Sequence, residues 1–247
     1  MEQGTIEWHL ARLGKITASD CHVLMKTPRS KSEVFTDTAK SYLDKKVMEN
    51  FLPIRHDDQA SRNVVEEYIE IHNSTTRAME WGSMMESSAR DRYKELMQVN
   101  VEEVGFFPHP EYPKLAGGSP DGIITESKGV IEIKCPFTLE HHLRHLIYQT
   151  PEDFKADKPE YYWQCIANMC VTDSDYCDFI SYNPYVGIKQ QLKVLRIPRN
   201  EEDIKLYNSR ISLAVDYMAE KITLINKTET LITDYERPQE DNNTDCA

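Results

Sequence analysis

Residues 117–136, GGSPDGIITESKGVIEIKCP, set an aspartate before one short apolar run and a glutamate and a lysine inside the next. Apolar runs of this length bounded by turn residues predict buried strands, with ESKG as the turn between them. In that register Thr125 faces Val130, Ile123 faces Glu132 and Asp121 faces Lys134. Paired residues point to one side of a sheet and side chains alternate along each strand. Asp121, Glu132 and Lys134 therefore share one face, and Ile124, Ile131, Ile133 and Cys135 share the other. Two carboxylates at cross-strand distances of roughly 5–7 Å repel and raise a pKa unless a cation neutralises them, which a divalent metal with water does. A lysine beside such a metal can orient the water or stabilise charge developing on a phosphate, which predicts metal-assisted phosphodiester hydrolysis. The simpler use of Glu-x-Lys in a strand is an ion pair on a solvent-exposed sheet face. Against it stand the apolar flanks of both runs and the turn in which Pro120 and Gly122 hold the aspartate.

Working outward, the 247 residues carry 29 Lys and Arg against 41 Asp and Glu, a formal charge of −12. Proteins that grip nucleic acid by bulk electrostatics present a net basic surface, so contact with nucleic acid would need a localised basic channel. An acidic balance does suit carboxylates gathered around a divalent metal. The hydrophobic content of 40% belongs to a folded globular protein. One domain is expected over residues 1–233, followed by a polar tail at 234–247 that is expected to be disordered. No apolar run reaches the roughly 18 residues of a membrane span, and MEQGTIEWHL lacks the regions of a signal peptide. An intracellular protein without membrane contact is expected. The cysteines Cys21, Cys135, Cys165, Cys170, Cys177 and Cys246 form no CxxC pair, which predicts reduced thiols.

Upstream, WHLARLGKITASDCHVLMK predicts a loop running into a helix start capped by Thr17 or Ser19, a place that also offers amides to an anion. Helices are predicted over 33–50 and 62–72, joined by the polar LPIRHDDQAS, and over 75–97, with Met79, Gly82, Met85 and Ala89 at helical spacing. Strands near 101–109, at KLAGG, at GIIT and at GVIEIKC predict a meander. Downstream, PEYYWQCIANMCVT predicts a helix, and CDFISYNP and KQQLKVLRIP predict two strands about an NPYVG turn. A last helix over 200–225 is started by Asn200 with Asp203 and carries Ile204, Tyr207, Ile211, Val215, Met218 and Ile222 in one stripe. His141 and His145 in HHLRHL stand four apart, as in some zinc sites, but without a third ligand they predict an exposed helix face. The elements add up to an α/β fold with a mixed central sheet flanked by helices.

Pro120-Asp121, ten intervening residues and then Glu132-Ile133-Lys134 resemble the PD-(D/E)XK nuclease superfamily, with its restriction-endonuclease-like core. More of the chain agrees. RLGKITAS (12–19), WGSMMESSAR (81–90), GSPDG, IEIKCPF, YYWQCIANMCVT and SYNP stand in the order and approximate spacing of phage lambda-type exonucleases, also called YqaJ-like viral recombinases, over roughly residues 6–198. The resemblance implies a bacteriophage-type, Mg²⁺-dependent exonuclease, with Mn²⁺ as a substitute metal, working in the cytoplasm of a bacterial host. Its substrate would be the end of double-stranded DNA, digested on one strand from 5' to 3' to leave a 3' overhang for a single-strand annealing protein. It also implies a homotrimeric ring. Carried over by motif, Asp121 and Glu132 would hold the metal with the main-chain carbonyl of Ile133, and Lys134 would be the catalytic lysine. Glu86 would lie near a second metal or its water, Gln164 close to the active site, and Arg12 with Ser19 and Ser119 on the terminal 5' phosphate. The chain departs from the family at residues 50–75, where it is longer, and in its tail.

Each of these residues has a plainer use. Arg12 could sit on the surface, Glu86 could pair with Arg90 at i,i+4, and Gln164 could satisfy a core hydrogen bond, while Tyr161, Tyr162 and Trp163 are expected to pack rather than stack on bases. A Cas4-like or RecB-like nuclease with an iron-sulfur cluster would need closely spaced cysteines after the core, where only Cys246 follows Cys177. A non-catalytic DNA-end-binding scaffold would be expected to have a broken Asp, Glu, Lys set and a basic chain.

Overall fold

The structure is a computed structural model describing residues 2–53, 59–72 and 75–233. The predicted polar tail and the middle of LPIRHDDQAS lie outside the described residues. Helix α1 (Ile6–Arg12) leads through strand β1 (Ile16–Thr17) and one 3₁₀ turn (Cys21–Met25) to α2 (Asp37–Glu49), α3 (Gln59–His72) and α4 (Arg77–Met97). Five strands follow, β2 (Val101–Glu102), β3 (Phe107–Pro108), β4 (Ala116–Gly118), β5 (Gly122–Ile124) and β6 (Gly129–Lys134). Then come α5 (Leu139–Ile147), α6 (Pro151–Asp157), α7 (Pro159–Thr172), β7 (Tyr176–Tyr182), β8 (Leu192–Pro198) and α8 (Glu201–Thr233).

The larger sheet has the order β2-β5-β6-β7-β8 and is mixed, because β6 and β7 run parallel and the other neighbours antiparallel. A parallel neighbour requires a crossover, here α5, α6 and α7. Strand alternation divides the core in two. Ile124, Ile131, Ile133, Cys135, Ile180 and Tyr182 pack with Ala89 and Tyr93 of α4, whereas Val130, Cys177, Phe179, Leu195 and Ile197 pack with α7 and α8. The apolar face read from GIIT and GVIEIKC is thus the α4 face, and Glu132 points to the α7 side.

Local chemistry accounts for the helix ends. Thr36 and Thr76 accept from Ala39 N and Met79 N at 3.3 Å, starting α2 and α4. Thr150 and Asp153 form a capping box on α6, and Asn200 Oδ1 accepts from Glu202 N and Asp203 N at the start of α8. Asp203 turns its own carboxylate to Lys155 and Tyr162, so it ties α8 to α6 and α7 instead of completing the cap.

Several expectations are corrected. The hairpin pairs Ile124 with Gly129 and Ile123 with Val130, two residues away from the predicted register, and the turn is TESK. Gly129 is a strand residue paired with Ile124 and Tyr176, and a Cβ there would meet the Tyr176 ring of β7 at 2.4 Å, so the glycine that looked like turn chemistry makes room for a neighbour. A shift of two keeps every side chain on its predicted face. The 101–109 strand divides, β2 joining the large sheet and β3 a small one of order β1-β4-β3, so the strands do not form a single meander. WHLAR is helical, with Thr5 accepting from Trp8 N at 3.3 Å. Neither Thr17 nor Ser19 caps a helix, since the N-cap of the 3₁₀ turn is Asp20, with no side-chain cap, and Thr17 Oγ1 donates to Asp20 at 3.0 Å. The HHLRHL face is not exposed throughout: His142 and His145 are buried, and the Nδ1 of each lies 2.9 Å from Ser181 Oγ. The last helix continues to Thr233, past the predicted 225.

Candidate active site

Arg12, Ser19, Glu86, Ser119, Asp121, Glu132, Ile133, Lys134 and Gln164 line one cleft of about 1310 Å³. The hairpin forms its floor. Asp121 stands just before β5, where its Oδ2 accepts from Ile133 N at 2.6 Å, and Glu132 lies fully buried in β6. Lys134 Nζ donates to Glu132 Oε1 at 2.5 Å and sits 5.1 Å over the Tyr161 ring, while Asn168 Nδ2 of α7 donates to Glu132 Oε2 at 2.9 Å. Tyr161 therefore faces the cleft, whereas Tyr162 and Trp163 are buried packing residues.

One wall comes from α4. Glu86 reaches the cleft and also pairs with Arg90 at 2.6 Å, so the i,i+4 ion pair and a place in the site coexist. Arg90, itself buried, also contacts Glu103 at 2.6 Å and donates from Nε to the Asp121 carbonyl at 3.3 Å, fastening α4 to the floor. At the other end Arg12 donates to Ser119 Oγ and Ser19 Oγ, each at 3.2 Å, and its guanidinium stacks 4.0 Å from the Trp8 ring. Trp8 Nε1 donates to Ser119 Oγ at 3.0 Å. Burial lowers the Arg12 pKa, against the pull of Asp20 and the more distant acids, as expected for a recessed cation whose donors meet neutral hydroxyls.

Charge is crowded on the floor. Burial first, then the Asp121 charge, push the Glu132 carboxyl up to about 8, and the same two causes push Glu86 up to about 7 against Arg90 and Lys134. Burial also raises Asp121, although Lys134 and the Ile133 amide pull it down. Lys134 holds its proton more tightly than usual: burial alone would lower its pKa, but Glu132 and Asp121 raise it. Burial raises all three acids, and a nearby cation would favour their charged forms. The donors are all oxygen, which suits Mg²⁺ or Mn²⁺ rather than a softer ion. Among the described residues no three His, Cys, Asp or Glu side chains converge as a metal cage. Mg²⁺ is commonly held by one or two carboxylates, with water and substrate phosphate supplying the rest. Asp121 and Glu132 fit such an ion.

Sequence reasoning missed Arg90 as a staple, Trp8 as a partner of Ser119, and Asn168. For Asn168 a signal existed, since it is the single amide in the apolar run CIANMCV. Cys21, Cys135, Cys165, Cys170 and Cys177 are free and buried, and Cys246 lies outside the described residues. No helix among the described residues is long and apolar enough to cross a membrane.

The fold has counterparts among known proteins. The structure resembles an alkaline exonuclease from Laribacter hongkongensis, LHK-Exo, solved with dAMP: 27% identity, 92% of this chain and 100% of that chain covered, TM-score 0.70. A second structure of LHK-Exo matches at 27% identity with the same coverage and a TM-score of 0.69. A phage-related exonuclease from Haemophilus somnus 129PT shares the fold, at 18% identity, 87% and 96% coverage and a TM-score of 0.61. No curated protein matches the chain. The family model for the YqaJ-like viral recombinase domain matches residues 7–175, well over half of the chain, and the protein belongs to that family.

Proposed function

We propose that the protein is a metal-dependent exonuclease that removes nucleotides from the 5' end of one strand of linear double-stranded DNA. The observation that carries this reading is the juxtaposition, in one cleft, of the Asp121, Glu132, Lys134 floor with the hydroxyl-lined guanidinium of Arg12. A planar guanidinium flanked by Ser19 and Ser119 suits bidentate capture of a terminal phosphate. Ser119, to which Arg12 donates, stands two residues before Asp121, so a phosphate held by Arg12 would set the first phosphodiester along the strand on the side of the carboxylates. A bound Mg²⁺ or Mn²⁺ would polarise the phosphoryl oxygen and lower the pKa of attacking water.

The chain's own residues do the rest. Asp121 and Glu132 would hold the ion with the main-chain carbonyl of Ile133, and Glu86, on the same cleft, would lie near a second ion or its water. Lys134, paired with Glu132, would stabilise negative charge developing on the phosphate and orient the attacking water. Gln164 on the α7 wall is a further contact near the reacting group. LHK-Exo has been solved with dAMP, a mononucleotide of the kind such a reaction would release. The resulting 3' overhang would pass to a single-strand annealing protein, and a homotrimeric ring would supply processivity without a basic surface, which accommodates the charge of −12.

The test uses end-labelled duplexes with 5' phosphate or 5' hydroxyl, Mg²⁺ or EDTA, and wild type or Lys134→Ala. Expected are metal-dependent loss from the 5' end, preference for the phosphate and a nearly inactive variant. Digestion from the 3' end would favour a Cas4-like or RecB-like polarity, and end binding without digestion would favour a scaffold; either result refutes the proposal. Processive digestion by a species that sediments only as a monomer would refute the ring.

A further inference from the structure

We propose, on the metal-dependent reading above, that Asn168 is a positioning residue for Glu132 and that Gly118 leaves the space its carboxamide needs. Asn168 is fully buried in α7. Its Nδ2 takes one oxygen of Glu132 at 2.9 Å while Lys134 Nζ takes the other at 2.5 Å. A carboxylate gripped at both oxygens cannot turn about its last bond, so its remaining lone pairs keep one direction. Partners of this kind orient a metal-binding side chain without touching the ion.

The other end of the amide argues against a packing role. Among the described residues Asn168 Oδ1 is buried without a hydrogen-bond partner. An unsatisfied buried acceptor is destabilising, so packing alone would not select an amide here. Turning the amide over would set Oδ1 against the Glu132 oxygen, two acceptors with no proton between them whenever Glu132 is ionised. The unsatisfied oxygen is thus the consequence of directing Nδ2 at Glu132.

Gly118 supplies the room. A Cβ there would stand 2.7 Å from Asn168 Oδ1 and 3.2 Å from both Ala18 Cβ and Val171 Cγ2. The segment GGSPDG therefore provides Asp121 directly and, through Gly118, the gap that lets α7 bring an amide to Glu132.

The experiment measures Mn²⁺ binding to the full chain without DNA, by loss of the free-ion electron paramagnetic resonance signal, for wild type, Asn168→Ala, Asn168→Ser, Gly118→Ala and the Asn168→Ala, Gly118→Ala double variant. Thermal unfolding in EDTA checks that each folds. Asn168→Ala is expected to weaken Mn²⁺ binding by about 10- to 100-fold, and Asn168→Ser, whose shorter hydroxyl stops short of Glu132, by a comparable factor. Gly118→Ala should weaken binding alone but add less than about twofold in the double variant, because it acts through Asn168. Unchanged Mn²⁺ affinity in folded Asn168→Ala, or fully additive losses, overturns the proposal. If Asn168→Ala does not fold, unchanged affinity in Asn168→Ser or in Gly118→Ala does the same. Absence of Mn²⁺ binding by the wild type would instead defeat the metal-dependent reading itself.

Discussion

Replacing Arg12 by alanine should erase the distinction between 5'-phosphate and 5'-hydroxyl ends. Its two donors rest on Ser119 and Ser19 at 3.2 Å, longer than the usual 2.9 Å or so for N–H···O. They can exchange these neutral partners for a phosphate at small cost. A unit charge at about 4 Å and an effective dielectric of about 20 is worth about 4 kcal/mol before desolvation. Two charge-assisted hydrogen bonds, at about 1.5–3 kcal/mol each net, give a similar figure. A loss of about 3–4 kcal/mol corresponds to two to three powers of ten at about 1.4 kcal/mol per tenfold. The assay compares kcat/KM on blunt duplexes differing only in the 5' group, at saturating Mg²⁺. Wild type should prefer the phosphate by about 100- to 1,000-fold, and Arg12→Ala should treat the two ends alike. Arg12→Lys should keep only part of the preference, since an ammonium cannot present two parallel donors. A variant Arg12→Ala that retains the wild-type preference would refute the reasoning.

The metal-free fold should lose stability as the medium becomes alkaline. Glu132, raised from 4.5 to about 8 by burial and Asp121, binds its proton more readily folded than unfolded, so the stability this contributes is complete below about pH 4.5 and is lost as pH rises through about 8. Thermal midpoints in EDTA should fall across that window and recover with Mg²⁺ most at its alkaline end; a midpoint independent of pH and of Mg²⁺ contradicts the carboxylate cluster. Glu49, buried at the end of α2, accepts from Gly14 N and Lys46 Nζ at 2.9 Å and from Tyr68 at 3.2 Å. Glu49→Leu should cost about 3 kcal/mol, or about 6–12 °C in Tm, and should blur the 5'-phosphate preference because the turn after Arg12 loses its anchor; an unchanged Tm counts against it. Tyr93→Phe removes a 2.6 Å hydrogen bond to buried Asp178, which keeps two from Arg196. A loss of about 1.5 kcal/mol in urea denaturation is expected, and a neutral result would mean that Arg196 alone satisfies the carboxylate.

How much was legible depended on the range of the interaction. Side-chain alternation has a period of two, so Asp121, Glu132 and Lys134 share a face even though the hairpin register differs by two residues. Periodicity and capping residues likewise marked α2, α4, α7 and α8, because a helix is made by bonds between near neighbours. The segment WHLAR failed that test: at seven residues, α1 is too short for a clear stripe and is held by Thr5 and by Trp8 on Ser119. His145 failed it too, since what buries it is Ser181 and Phe179 of β7, more than thirty positions away. By itself the sequence determined which strand face carries the charges and that the longer helices α2, α4, α7 and α8 exist. Tertiary packing alone decided that Arg12 meets Ser119 across 107 positions, that Arg90 fastens α4 to the Asp121 turn, and that Asn168 reaches Glu132 past Gly118. Those contacts join elements whose order along the chain carries no information about distance; only burial of both sheet faces brings them together.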